Sequence, residues 1–233
     1  MTAWWLTVAQ LYRERLQETG QAPTIAAPTN QDAHRISEAV RLQRRQTGLL
    51  EPDVMTIRAT DGERNYAMPI ARGDQVRLFA STGASFGDKR GGSIGRNGSV
   101  LEVVDADRDG IWLKARTGKV GKVAWQTLET NGRVKLAYGD AMTIHTAQGI
   151  TSREHILALP AGSQAIDGKM GYSGNTRHRV QSHLLVNEAA ERDAVRRSRP
   201  LNDTRDITLH DRWANVARAL AYQPELLRTQ HDW

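Results

Sequence analysis

The period of the hydrophobic pattern changes twice along these 233 residues, and no other feature limits the fold as strongly. Trp5, Val8, Tyr12 and Leu16 recur at spacings of three and four, the stripe of an amphipathic helix that Gly20 ends. A short apolar run at residues 24–27 enters Pro28-Thr29-Asn30. Ala33, Ile36 and Val40 then line one face of a second helix, with Asn30 as a good N-cap and Gly48 as the stop. Strand, polar turn, helix is the order of an α/β unit. From about residue 54 to 134 the period shortens to that of strands. Runs at 54–59, 75–80, 99–104, 111–115 and 120–125 alternate with the turn pairs Asp61-Gly62, Asn97-Gly98, Asp109-Gly110 and Thr117-Gly118. Signals of α/β type resume at Leu136 and again at 155–159. A β-rich stretch bracketed in this way reads as a small all-β barrel inserted in one α/β domain with a parallel sheet.

The expected organisation is a helix at 1–20, a first α/β part at 21–72, the barrel at 73–134, a second α/β part at 135–187, and a charged connector with a last helix at 188–233. Segment 86–98, rich in glycine and basic, reads as a mobile loop at the barrel tip. Trp112 and Trp125 fall in alternating strands, where core packing is the commoner role and base stacking the alternative. Arg41, Arg44 and Arg45 read as a solvated helix face that would also suit a phosphate track. The run that includes Arg196, Arg197 and Arg199 reads as a solvated connector, and the final ten residues as frayed.

Composition narrows the chemistry. A hydrophobic content of 39% suffices for a core. No run approaches the roughly eighteen apolar residues of a membrane span, and the N-terminal stretch reaches Arg13 and Glu14 too soon for a secretory signal. A soluble, cytoplasmic protein with no membrane partner is expected. With no cysteine, disulfides, cysteine zinc sites and thiol nucleophiles are excluded. The seven histidines are scattered, without the spacing of a metal site. The net charge of +6 favours a polyanionic partner bound through phosphates.

Two segments carry the specific signal. Thr143-Ile144-His145-Thr146-Ala147-Gln148-Gly149-Ile150-Thr151 has the form T-x-H-x-x-Q-G-x-T. About twenty residues later, Tyr172-Ser173-Gly174-Asn175-Thr176-Arg177 has the form Y-x-x-x-T-R. In order and spacing the pair resembles motifs V and VI of superfamily 1B DNA helicases. Ala26-Ala27-Pro28-Thr29-Asn30 resembles the first strand and turn of the second RecA-like domain of that family. Gly73-Asp74-Gln75-Val76 and Asn97-Gly98-Ser99-Val100 resemble the opening strands of the SH3-like barrel inserted in it. The segment from Trp213 to Arg218 and Gln223-Pro224-Glu225 resemble the tail that follows the helicase in conjugative relaxases of the TraA/TrwC type. One motif would be weak, but the ordered set covers roughly residues 5 to 225. A departure is Thr146, which stands where relatives often carry a lysine.

The resemblance implies roles. Arg177 would be the arginine finger that reaches a nucleotide on a facing lobe, its planar fork matched to phosphate oxygens. Gln148 and Gly149 would lie near the nucleotide and couple it to the DNA channel. Thr29, Asn30, Thr143, His145 and Thr151 would contact the backbone of a single DNA strand without reading its sequence. Out of that context, Arg177 would read as a surface or ion-paired residue and His145 as a satisfied, partly buried histidine.

A helicase motor also needs G-x-x-x-x-G-K-[ST] to cradle phosphates and hold magnesium, and these residues contain none. Segment 87–93 has Gly92 at the lysine position. Segment 162–170 has five residues before Gly168-Lys169 and Met170 in place of the hydroxyl. No apolar run ends in an Asp-Glu pair. The expectation is a second motor lobe of an ATP-dependent, single-strand-translocating helicase of a DNA-transfer system, inactive alone. ATP and Mg2+ would bind only with a P-loop lobe supplied in cis or in trans. The alternative, from a different class, is a non-catalytic module that binds single-stranded nucleic acid.

Overall fold

The structure, a computed structural model, describes residues 4–87 and 89–222, with side chains left aside at 89 and 90. An opening helix α1 (Trp4–Thr19) precedes β1 (Thr24–Ala27) and α2 (Asn30–Gln46). Strands β2 (Asp53–Thr60), β3 (Asn65–Ala71), β4 (Gln75–Leu78), β5 (Thr82–Phe86) and β6 (Lys89–Gly95) follow. After β7 (Val100–Ala106), β8 (Gly110–Lys114) and β9 (Val120–Ala124) come a single turn α3 (Trp125–Leu128), β10 (Glu129–Thr130) and β11 (Arg133–Tyr138). The chain continues through β12 (Ala141–Thr143), β13 (Ser152–Leu159), α4 (Gly168–Asn175), β14 (His178–Val186), α5 (Glu188–Ser198) and α6 (Leu209–Ala221). It forms two compact units, Met1–Ala33 with Met142–Trp233, and His34–Ala141.

The first unit is α/β. Its four-stranded sheet has the order β12-β1-β13-β14, with β13 parallel to both β1 and β14. Strand β13 is buried from Glu154 through Leu159, as a central parallel strand covered on both faces should be. Helix α1 buries Val8, Ala9 and Tyr12. It is also tied by its charge: Arg15 donates from Nε (2.7 Å) and from a terminal nitrogen (3.0 Å) to the two carboxylate oxygens of Glu154, and His183 lies 3.3 Å from the same group. The expected solvated connector is instead the packed helix α5, capped by Asn187 and burying Glu191, Ala194 and Val195. Its charge pattern misled because Glu191 turns inward, accepting from the Ser163 backbone and, at 2.9 Å, from Asn215. Helix α6 starts in a capping box between Thr208 and Asp211. The Gln223-Pro224-Glu225 match and the final ten residues lie outside the described residues.

The second unit is a mixed sheet whose strands follow one hydrogen-bonded path, β3-β2-β11-β4-β7-β8-β9-β5-β6, with β10 off β11. One apolar cluster fills it, including Met68, Ile70, Leu78, Val103, Ile111, Leu113 and Leu136. All four turn pairs join strands. Asp107 shows how: its Oδ1 accepts the backbone N–H groups of Asp109 and Gly110 at 2.9 Å each, closing the turn from β7 to β8. The hairpin β2–β3 and strand β11 belong to this sheet, so it extends beyond residues 73–134, and Leu136 is a core residue of it. The expected mobile loop contains strand β6, antiparallel to β5. Gly91 permits that pairing, since a Cβ there would stand 3.2 Å from the Ala84 carbonyl oxygen.

Arg41, Arg44 and Arg45 of α2 do not form a solvated face. Arg41 donates to both oxygens of Asp74, at 2.8 and 3.1 Å, and to Asp53. Arg44 meets Asp140 at 3.3 Å and the Gly73 carbonyl at 2.7 Å, and Arg45 pairs with Asp53. Asp74 is fully buried and also accepts the Ala71 N–H at 2.7 Å. The Gly73-Asp74 turn is therefore held by cations from the helix. Half-buried Trp125 donates its indole N–H to Asp107 O at 2.8 Å, and Lys122 lies 4.1 Å from the ring centre of Trp112.

Candidate nucleotide and nucleic-acid site

Parallel register gives the sheet of the first unit two distinct ends. Thr24 lies opposite His155 and Ala26 opposite Leu157, while Ser152 lies opposite His178. At the C-terminal end of β1 the chain turns through Thr29 into α2, and the Ile144 N–H donates to Ala27 O at 3.0 Å. Thr29, Asn30, Thr143 and His145 gather at this end. At the other end, Thr151 leads into β13, and the Ser152 N–H donates to the Arg177 carbonyl at 3.1 Å. The length of β1 separates the ends, about three strand residues or ~10 Å. The five residues expected on DNA are thus divided: four lie at one end, and Thr151 lies at the other beside Arg177. Gln148 and Gly149 sit on the turn between.

That turn is built from a few short contacts. Thr143 Oγ1 accepts the Thr146 N–H at 3.2 Å and lies 2.8 Å from the Thr146 hydroxyl. The N–H groups of Ala147, Gln148 and Ile150 donate to the carbonyls of Thr143, His145 and Ala147. Ile144 and Ala147 are buried, which turns His145, Gln148 and Gly149 outward to solvent. Gly149 has φ 84°, a left-handed conformation that favours glycine and ends the turn. Thr143 caps this turn, and Thr146, at the position where the motif often carries a lysine, contributes its N–H and its hydroxyl to that contact.

Thr29, not Asn30, is the N-cap of α2. Its hydroxyl accepts the Asp32 N–H at 3.1 Å and donates to the Asp32 carboxylate at 2.7 Å, and its carbonyl accepts the first helical bond, from Ala33.

Arg177 is aimed by α4. Asp167 caps this helix by accepting from Met170 at 2.8 Å. Gly168, Gly171 and Gly174 are buried along one face, and a Cβ on Gly174 would stand 2.9 Å from the Leu157 side chain. Arg177 Nε donates to Ser173 O at 2.8 Å, and a terminal nitrogen donates to Thr176 Oγ1 at 3.2 Å. The guanidinium is half-buried and, among the described residues, makes no ion pair. Two neutral acceptors orient it, and neither neutralises its charge. Tyr172, on the same helix, is 73% exposed.

Behind Arg177 lies a polar seam that the sequence did not reveal. Ser152 Oγ and His155 Nδ1 both contact Thr24 Oγ1, at 2.8 and 2.7 Å, and Ser152 Oγ also reaches Glu154 O. His155 is fully buried. Burial, reinforced by the positive charges of His178 and Arg177, pushes its pKa down to about 4. It is therefore neutral near pH 7. Glu154 is held below the usual carboxylate range, first by its hydrogen bond from Arg15.

The described residues contain no group of three His, Cys, Asp or Glu that could hold a metal ion, and the sequence offers no phosphate cradle. Toward a phosphate, the site offers one oriented arginine, Arg177. No helix among the described residues is long and apolar enough to cross a membrane.

No family model and no curated protein matches the chain. Among solved structures it is similar to Bacteroides Pif1 bound to ssDNA, at 15% identity and a TM-score of 0.47 over 76% of this chain and 45% of that one. It is similar to Bacteroides Pif1 helicase in complex with ADP-AlF3 and ssDNA, at 16% identity and 0.48 over 82% and 49%. Pif1 helicase from Candida albicans gives 14% and 0.47 over 95% and 52%. The chain spans about half the length of these structures.

Proposed function

We propose that the chain is the second motor lobe of an ATP-dependent, single-strand-translocating DNA helicase, from a conjugative relaxase or related DNA-transfer protein, with the β-rich unit as its SH3-like insertion. One observation carries most of the weight: Arg177, at the last position of the Y-x-x-x-T-R motif, is oriented by Ser173 and Thr176 and has no carboxylate to neutralise it among the described residues. A guanidinium poised in this way suits a phosphate on a facing surface. In this account a P-loop lobe, in cis or in trans, holds nucleotide and magnesium, and no hydrolytic step is assigned to this chain alone. The exposed His145 and the hydroxyls of Thr29 and Thr143 would meet the sugar-phosphate backbone of the strand at the opposite end of β1.

The missing phosphate cradle favours a second account, a module that binds single-stranded nucleic acid without catalysis. ATPase assays of the chain alone, and mixed with a candidate P-loop lobe, separate the two. DNA-stimulated turnover confined to the mixture supports the motor lobe. Strand binding without turnover in the mixture supports the module.

A further inference from the structure

Outside the motif residues, a cleft of about 540 Å³ opens between α5 and the loop that leads to α6. Its walls carry Arg192, Arg196, Arg199 and Arg205 against only Asp203 and Asp206. Arg192 and Arg196 are one helical turn apart, and Arg199 follows at the C-cap of α5, so the three continue along one side of the helix.

The loop wall is braced from within. Arg199 donates to Arg205 O at 2.6 Å and meets Asp211 at 3.0 Å. Asp203 accepts both the backbone N–H (3.1 Å) and the guanidinium (2.9 and 2.7 Å) of Arg205, and these bonds hold its carboxyl well below the usual range. The helix wall is not neutralised to the same degree. Glu188 is shared between Arg192, at 3.3 Å, and Arg212. Arg196 is exposed and makes no ion pair among the described residues.

We propose that this cleft binds phosphate groups, with Arg196, unpaired among the described residues, and Arg192, which shares Glu188 with Arg212, supplying the charge and the Arg199–Asp203–Arg205 loop holding its shape. Guanidinium forks match phosphate oxygens in pairs, and the volume falls in the range of ligand sites. The phosphates belong either to the backbone of a nucleic-acid strand or to a free polyphosphate such as that of a nucleotide. The site involves neither Arg177 nor the 143–151 turn, so it stands or falls apart from the motor-lobe account.

The test compares the wild-type chain with R192A/R196A, and with R108A/R116A as a control of equal charge change in the β-rich unit. Unfolding curves establish that all three fold. One arm titrates a fluorescent single-stranded oligonucleotide across salt concentrations, and the other titrates inorganic tripolyphosphate calorimetrically. If the cleft takes a strand, R192A/R196A lowers the slope of log K against log[salt] by about 1.4, roughly 0.7 for each phosphate that is no longer neutralised, and the control does not. If it takes free polyphosphate, tripolyphosphate binds with a loss of tenfold or more in R192A/R196A. Binding of both ligands unchanged by R192A/R196A, or absent in the wild type, overturns the proposal.

Discussion

The backbone N–H of Ser152 donates to the carbonyl oxygen of Arg177 at 3.1 Å, so the start of β13 and the residue that ends the Y-x-x-x-T-R motif are one hydrogen bond apart. Through the same residue the hydrogen bonding continues inward, from Ser152 Oγ to Thr24 Oγ1 and on to buried His155. The position of Arg177 thus depends on groups that no motif includes, and on the close seating of α4.

Gly174 tests that seating. A Cβ at this position would stand 2.9 and 3.0 Å from the two δ-carbons of Leu157, a fully buried side chain. G174A is expected to cost roughly 1–3 kcal/mol, the usual penalty for overpacking, and to move α4 and Arg177 with it. Urea unfolding checks the first part. A variant as stable as the wild type would show that α4 does not need a glycine to approach β13.

Buried His155 and Asp140 should leave opposite marks on the pH dependence of stability. The ordinary histidine value is 6.5, and in the fold burial pushes it down to about 4. Between those values the unfolded chain holds more protons, so the contribution of His155 is complete above 6.5 and is lost as pH falls through 4, with a ceiling of roughly 3 kcal/mol. For Asp140, burial outweighs the attraction of Arg44 and pushes the carboxyl up to about 6 from 3.8. Here the folded chain takes the proton first, so the cost of the buried charge is present above 6 and relieved by 3.8. An NMR titration should place the His155 ring transition near pH 4, and a midpoint between about 6 and 7, the ordinary histidine range, would contradict its burial. D140N should gain stability at about pH 8 and show no gain at about pH 4.

Capping chemistry gives α2 a simple test. T29A removes the hydroxyl that accepts the Asp32 N–H in the first turn of α2 and should cost about 0.5–2 kcal/mol in urea unfolding. A T29A variant as stable as the wild type would contradict the assignment of Thr29 as the cap.

What the sequence disclosed follows from the range of the interactions. Helices α1 and α2 and the four turns between strands were legible because periodicity and turn chemistry are local. The fates of Arg41, Arg44 and Glu191 were not, because their partners Asp74, Asp140 and Asn215 lie 24 to 96 positions away. A charged residue looks the same in sequence whether it faces water or a buried partner. Resemblance alone grouped the motif residues in the sequence, and their division between the two ends of β1 could not be read there, since it depends on the register of β1 against β13. Thr24, Ser152 and His155 gave no signal at all: they are ordinary strand residues until two distant segments are paired.

The most direct test of the central claim is steady-state ATP turnover, with saturating single-stranded DNA, by this chain mixed with a P-loop lobe, comparing wild type with R177A. With Arg177 as the proposed finger, its loss should lower kcat by about 10³-fold or more and change the Kd for the DNA strand far less, because four of the five expected strand contacts lie at the His145 end of the sheet, away from Arg177. Turnover by R177A equal to wild type, or DNA-stimulated turnover by this chain with no partner lobe, would contradict the account.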